Sequence, residues 1–427
     1  MLASQGGKPM DVPALPERDK TLSDHEFLKL ARQLGPVARD RYGILVSFSH
    51  AHLVQLLNPD LTRQMETETL AIQGISQGPL FDFFNNALLF SNGAVHQRRR
   101  APLARTFAVP LMKKLRPVIR RLAEDLIDEA IGQGPVDLRD TIAGPLAARA
   151  ISGILGVPFE HLETLTEQVY SAVRALSVRS PDVIAEAALD MQALTKEVME
   201  LIHARSAAPR DDFISEFVAT TNGRLTDMEI RIQLVTLLIA GSDTTRGALT
   251  STLSQLMIHR GQWELLCADP EGLKQGAALE GLRYDPIIGA LIRVAARDFS
   301  FEGVRVPKGT LIGPLVLTAL RDPDVFQDPD RFDITRQDHP RWHPVFGGGE
   351  HRCLGEALAR LELEEALAAL ATKAPGMQLA GPPATLRGLG GVRGVSPLFV
   401  QLTEHSSDLP PARKPAARHR SVGAFPA

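Results

Sequence analysis

The ten residues Phe346-Gly347-Gly348-Gly349-Glu350-His351-Arg352-Cys353-Leu354-Gly355 constrain this chain more than any other stretch. They form a glycine-rich loop that delivers a cysteine to the start of a helix. Leu354, Leu358 and Leu361 recur there at helical spacing, among helix formers such as Glu356, Ala357 and Ala359. A thiol in that place sits near the positive end of the helix dipole, which favours its charged, ligand-competent form. With no side chains in the way, the backbone N–H groups of three successive glycines can approach the sulfur closely. A single shielded thiolate of this kind suits the axial position of a haem iron.

Composition narrows the alternatives. Cys267 and Cys353 are the only cysteines, which excludes a disulfide framework and most zinc sites built from several thiolates. A formal net charge of −3 supplies no drive towards nucleic acid. Residues 1–20 are polar rather than signal-like, and the longest apolar run, around 234–240, is far below the roughly 18 residues of a membrane span. A cytoplasmic, soluble chain without a membrane anchor is expected. At 427 residues, a length prior of roughly 150 residues per domain would suggest two or three domains.

A second chemical element opens at Thr226-Asp227-Met228-Glu229, a capping box followed by helical periodicity that predicts one long helix to about Ile258. Its middle reads Ala240-Gly241-Ser242-Asp243-Thr244-Thr245, a poor helix interior, since Gly alone costs about 1 kcal/mol relative to Ala. A threonine bonding back to the preceding turn would open the helix there and leave a groove for dioxygen and water. A local rule broken in mid-helix points to function.

The cysteine loop resembles the haem-binding signature of the cytochromes P450, with Phe346, Gly347, Gly349, His351, Cys353 and Gly355 all in place. Thiolate ligation of haem iron is a known property of that family rather than a derivation from these residues. Four further motifs follow in the family's order. His96 and Arg100 resemble its His-x-x-x-Arg, which pairs with a haem propionate. Ala240 to Thr245 resembles its oxygen-activation motif, in which Asp243 would relay protons from solvent. Thr244 would then hold the water that protonates the departing oxygen. Glu280 and Arg283 resemble its buried Glu-x-x-Arg, locked by an arginine of Pro329-Asp330-Arg331-Phe332, so that Arg331 would support the haem pocket with them. Arg293 would reach a propionate.

The resemblance covers roughly residues 25–402. It implies one mainly α-helical P450 domain with small β-sheets over 24–402, haem b lying between the long central helix and the Cys-loop helix. Residues 1–23 would be a flexible arm and 403–427 a disordered tail. The implied reaction inserts one oxygen atom from dioxygen into an apolar small molecule. Electrons would come from NAD(P)H through a separate ferredoxin reductase and ferredoxin, as in soluble bacterial members. Two rivals are a peroxide-driven haem-thiolate hydroxylase, against which Asp243 and Thr244 argue, and a non-catalytic haem-thiolate sensor, which would not need a proton relay.

Elsewhere the chain reads mostly as helix: 24–33, 118–131 opened by Pro117, 138–154, 158–176 and 181–207, with two strands joined by the Pro307-Lys308-Gly309 turn over 301–312 and hairpins at 37–48 and 388–402, the tip of the last able to touch substrate. The apolar stretch 67–90 is either pocket wall or plain core. Phe83, Phe84, Leu237, Ala240 and Gly241 are candidate pocket residues. Arg98, Arg99, Lys113, Lys114, Arg116, Arg120 and Arg121 form either a solvated face or a docking surface for an acidic ferredoxin. Gly281 is an unexplained helix residue, and Leu320 stands where bacterial members often carry Asn.

Overall fold

The computed structural model describes residues 12–19, 21–104, 109–157, 167–170, 172, 181–221 and 223–403. Most of the N-terminal arm, the greater part of the expected helix over 158–176, and the tail beyond 403 lie outside these residues. Helices dominate, with four small sheets among the described residues.

The central helix, Asp227–Ile258, follows directly from its capping box: Thr226 accepts from the Glu229 N–H while the Glu229 side chain caps Thr226. Its N-terminal half, with Ile230, Leu234, Val235 and Leu238, is buried in one apolar core. Its C-terminal half, with Leu249, Leu253, Leu256 and Met257, is buried in another. The helix Glu356–Lys373, which follows the cysteine loop, divides the same way. Leu354, Ala357 and Leu358 belong to the first core, and Leu361, Leu363, Ala366 and Leu367 to the second. Both chemical motifs therefore sit at the seam where the two cores meet.

Short strands frame the seam. Val37–Arg39, Leu45–Ser47, Leu311–Pro314, Arg293–Ala295 and Thr62–Gln64 form one sheet in that order. The first pair is the expected hairpin, Val37 opposite Ser47. Phe299–Phe301 pairs with Val304–Val306, whose valines are buried while Arg305 is exposed. Near the C-terminus the tight hairpin runs from Leu386–Arg387 to Gly394–Val395, whereas Phe399–Gln401 crosses to pair with Pro135–Asp137 and Gln378–Leu379. The expected single hairpin over 388–402 is thus two pairings in two sheets.

Other boundaries moved too. The helix expected from 118 begins at Val109, and Pro117 lies in its interior. The central helix stays continuous through Ala240 to Thr245: the Thr244 hydroxyl donates to the Ala240 carbonyl at 2.9 Å, yet the helix does not open. Gly241 is there because Ile151 is close; a Cβ on it would lie 2.8 Å from Ile151 Cγ1. Gly281 has the same explanation, since a Cβ there would fall 2.1 Å from Thr252 Oγ1 of the central helix. Leu320 is fully buried in the second core and contributes its carbonyl to Arg283.

Candidate haem-thiolate site

The cysteine loop is built backbone-first. Gly347 and Gly349 adopt φ of 66° and 60°, a region that costs other residues strain. The Cys353 N–H donates to the Phe346 carbonyl at 2.8 Å, and Trp342 Nε1 donates to the Gly347 carbonyl at 2.7 Å. The helix then starts at Glu356, with Arg352 turned back onto the Glu356 carboxylate. Phe346 is buried, with the Arg360 guanidinium 5.5 Å over its ring.

Cys353 has an accessible surface although protein surrounds it on most sides, so it faces a recess rather than the open exterior. Burial pushes its thiol above the ordinary value. The Gly355 N–H and the guanidinium groups of Arg100 and Arg352 oppose that shift without cancelling it. A coordinating metal would add to the helix terminus and hold the sulfur as thiolate. Cys267, half-buried and pushed up to about 12 by burial, lies elsewhere.

Beside the loop, cationic groups and imidazoles outnumber carboxylates. His96 is buried on the helix Gly93–Ala104, with its ring 4.2 Å from that of His351. Glu350 lies 3.9 Å from His96 Nδ1 and 3.5 Å from His351 Nε2, and both nitrogens lack a hydrogen bond. Burial lowers both imidazoles, His351 to about 3, with the charges of Arg293 and Arg100 adding to the shift at His351. Arg100 donates to the Arg352 carbonyl at 2.8 Å. Arg293, buried, bonds to Thr62 and Gln64 and is lowered to about 10 by burial. His96, Glu350 and His351 are close enough to hold a metal ion, but two flanking guanidinium groups make the place repel cations and attract anions. An accessible thiol beside unsatisfied donors for carboxylates is a donor set that fits a haem with its two propionates.

On the central helix, Ala240 is exposed and Thr244, one turn on, is half-buried. Asp243 accepts from Arg246 at 2.6 Å. Phe83 and Phe84, by contrast, are not pocket residues. Both are almost completely buried, and Phe84 stacks on Phe90 at 4.0 Å, so this part of the apolar stretch is plain core. Leu237 is likewise buried, and the Cβ direction of Gly241 meets Ile151. Apart from these, a mainly apolar recess of about 420 Å³ is lined by Ile75, Pro79, Leu80, Ile184, Ala185 and Ala188 together with Gln73 and Gln77, none of them a residue of the cysteine loop or of the 240–245 turn.

The Glu280–Arg283 pair is fully buried, bonded at 2.7 and 2.8 Å. Arg283 also donates to the carbonyls of Leu320, Pro329 and Arg331. Arg331 offers only that carbonyl; its own side chain is 65% exposed and pairs with Asp333. The arginine that approaches Glu280 is Arg336, 6% exposed, with Nε 3.4 Å from the carboxylate. Arg331 is thus replaced by Arg336 as the third member. Both lie in the same loop, and the sequence held no signal to separate them.

The basic set is also largely consumed inside the molecule. Arg98 and Arg99 clasp Glu229, Arg116 pairs with Glu364 and Glu365, and Arg120 with Glu271 and Glu365. Arg99 is buried, which removes it from any docking face. The side chain of Lys113 lies outside the described residues.

The sequence reading passed over Glu362. It is fully buried on the Cys-side helix, and neither carboxyl oxygen makes a well-formed hydrogen bond. Burial raises it well above the usual carboxylate range, and the Thr245 hydroxyl offsets this only in part. Its place nine residues after Cys353, on the helix face turned towards Thr245, would have been the signal.

Comparison with known proteins agrees with this geometry. A family profile described as "Cytochrome P450" matches residues 168–262 and 276–371. The chain is 33% identical over 400 residues to the plant-inducible cytochrome P450-pinF1 of Rhizobium radiobacter, covering 92% of this chain and 94% of that one. It is 34% identical over 376 residues to luteothin monooxygenase of Streptomyces thioluteus, covering 87% and 91%. Among solved structures, P450BioI in complex with a hexadec-9Z-enoic acid-ligated acyl carrier protein aligns with a TM-score of 0.80 at 28% identity, over 89% of this chain and 98% of that one. No helix among the described residues is long and apolar enough to cross a membrane.

Proposed function

The chain belongs to the cytochrome P450 family, whose activity is haem-dependent monooxygenation, and from that premise we propose how this member performs it. Haem b would be held by Cys353 at its iron, and by His96, Arg100, Arg293 and His351 at its carboxylates. When bound, the group supplies the binding and reductive activation of dioxygen. The chain's own residues do the rest. Asp243 would take protons from the solvent side and pass them towards Thr244, whose hydroxyl would position a water for proton delivery at the site. Ala240 and its neighbours present an apolar surface to the substrate.

Electrons come from NAD(P)H through a separate ferredoxin reductase and ferredoxin. Long acyl chains are the first substrate class to probe, supported by the acyl ligand named for P450BioI and by the apolar lining of the recess.

The observation that carries this reading is the adjacent acid and alcohol on one partly buried turn of the central helix, Asp243 and Thr244, with the Thr244 hydroxyl tied to Ala240. The test is NADH-driven turnover with a surrogate ferredoxin and reductase, for wild type, Asp243→Asn and Thr244→Ala. The reading expects slowed turnover in the first variant and diversion of electrons to hydrogen peroxide in the second. Turnover supported by added peroxide alone, and indifferent to both substitutions, would favour a peroxide-driven enzyme. Tight haem binding with no turnover from either source would favour a sensor.

A further inference from the structure

The side chains beside the cysteine loop that suit carboxylates come from two separate elements. His96 and Arg100 stand on the helix Gly93–Ala104, whereas Arg293 stands on the strand Arg293–Ala295. Asn92, which belongs to no motif singled out above, lies between them. It directly precedes the helix, and its carbonyl accepts from the His96 N–H at 3.2 Å. A residue in that place ordinarily turns its side chain back onto the first N–H groups of the helix. Asn92 reaches the other way. Its Oδ1 accepts from the Gln64 N–H at 2.9 Å. Its Nδ2 donates to the Gln64 carbonyl at 3.0 Å and to Glu66 Oε1 at 2.9 Å.

Thr62–Gln64 is the edge strand of its sheet among the described residues, so its outer N–H and C=O groups need a partner from outside the sheet. The Asn92 amide fills that edge as one peptide unit of a further strand would. Towards the sheet interior Gln64 lies opposite Arg293, and its Oε1 accepts from Arg293 Nη1 at 2.8 Å. Thr62 holds the same guanidinium through its hydroxyl at 3.2 Å and its carbonyl at 3.4 Å. A continuous path therefore runs from the His96 backbone through Asn92 and Gln64 to the Arg293 side chain.

We propose that Asn92 is a positioning residue for the haem: it sets the spacing between the helix-borne pair His96 and Arg100 and the sheet-borne Arg293, so that both halves meet the carboxylates of one haem. The proposal rests on the reading of that cluster as the carboxylate-binding side of the site. The position requires an amide, because both its acceptor and its donors are used. A carboxylate of the same size would keep only the bond from the Gln64 N–H. Its other oxygen would face the Gln64 carbonyl and the Glu66 carboxylate, acceptor against acceptor. Arg63 is close by, but it is already engaged with the Gln64 carbonyl, Glu66 and Glu68. As a helix cap, by contrast, Asp serves as well as Asn, and its charge suits a helix N-terminus. The two roles thus predict opposite outcomes for Asn92→Asp.

The test follows haem transfer from the ferric holoprotein to excess apomyoglobin by visible absorbance. The ferric/ferrous midpoint potential is the second readout. Wild type is compared with Asn92→Ala, Asn92→Asp, the double variant Asn92→Asp/Glu66→Gln, and Arg100→Gln. The Glu66 side chain is 47% exposed, so its substitution is borne at the surface.

Asn92→Ala should release haem roughly three- to tenfold faster, the scale of one or two hydrogen bonds, and Asn92→Asp at least as fast. With the cations drawn back, uncompensated negative charge beside the haem favours the ferric state. The midpoint potential should therefore become more negative in both variants, and further in Asn92→Asp. Glu66→Gln offers the new carboxylate an amide donor and should restore part of the retention lost in Asn92→Asp.

Wild-type release and potential in Asn92→Asp would overturn the proposal, since Asn92 would then be a helix cap and nothing more. So would a double variant that releases haem as fast as Asn92→Asp, or Asn92 variants that lower Tm while leaving release and potential unchanged. Arg100→Gln separates the premise from the proposal. If it leaves haem release unchanged, the carboxylate reading fails and takes the role of Asn92 with it. If it speeds release while the Asn92 variants do not, only the role of Asn92 fails.

Discussion

Removing the Arg336 side chain should destabilise this protein far more than removing that of Arg331, five residues earlier in the same loop. Glu280 is fully buried, and its carboxyl group is satisfied by Arg283, by the Asp333 N–H at 2.8 Å and by the Arg336 guanidinium at 3.4 Å. Arg336 also donates to the carbonyls of Gln327, Asp328 and Arg331 and to the Asp338 carboxylate. Arg336→Ala therefore removes the side-chain donor of the Gln327 carbonyl and leaves one buried carboxylate short of a cation, while the Asp328 carbonyl keeps the Arg331 N–H and the Arg331 carbonyl keeps Arg283. Breaking a buried pair costs about 3–5 kcal/mol. Arg283 remains on Glu280 and water can reach Asp338, so the lower end, about 3 kcal/mol, is expected here.

Unfolding entropy scales at about 2.1 cal/mol/K per residue, roughly 0.9 kcal/mol/K for a chain of 427 residues, so Tm should fall by about 3 °C. Arg331→Ala removes an exposed pair with Asp333 worth under about 1 kcal/mol and should move Tm by no more than about 1 °C. Arg336→Lys, which keeps charge but loses the planar fork, should fall between. The assay is thermal unfolding of the purified holoproteins, followed by circular dichroism together with haem release. A larger loss in Arg331→Ala than in Arg336→Ala would refute the reasoning, because the exposed side chain would then supply the stabilisation assigned to the buried one.

The other predictions are shorter. The reduced, carbon monoxide-bound wild-type protein should show the red-shifted Soret band of thiolate-ligated haem, and Cys353→Ser should lose it; a spectrum unchanged by the substitution would sink Cys353 as the ligand. Gly281→Ala places a methyl group against Thr252 and should cost about 1–3 kcal/mol, read as a drop in Tm of roughly the same number of degrees. His25 is lowered to about 4 by burial, more strongly than Asp285 raises it. Its folded value lies below the unfolded one near 6.5, so its contribution is present above pH 6.5 and is lost as pH falls towards 4, about 3 kcal/mol at most. His25→Gln should flatten the stability curve in that window and nowhere else, which denaturant titrations at several pH values would check.

What the sequence by itself determined was set by interactions within a few residues. The Thr226–Glu229 capping box and the 37–48 hairpin depend on near neighbours, and both appear where the residues predicted them. Only the tertiary structure decided matters that turn on which distant surfaces meet. Two arginines in one loop offered the same chemistry to Glu280, and packing chose Arg336. Gly281 looked like a flaw until Thr252 arrived from 29 positions away in the chain to require it. Phe83 and Phe84 were apolar enough for a pocket or a core, and the stacking partner Phe90 placed them in the core. The same holds for Asn92, ordinary before a helix, whose amide acquires its partners only when Gln64 and Glu66 fold against it. Local pattern specifies which groups a segment can offer; burial and long-range contact determine which of them remain charged, paired or accessible.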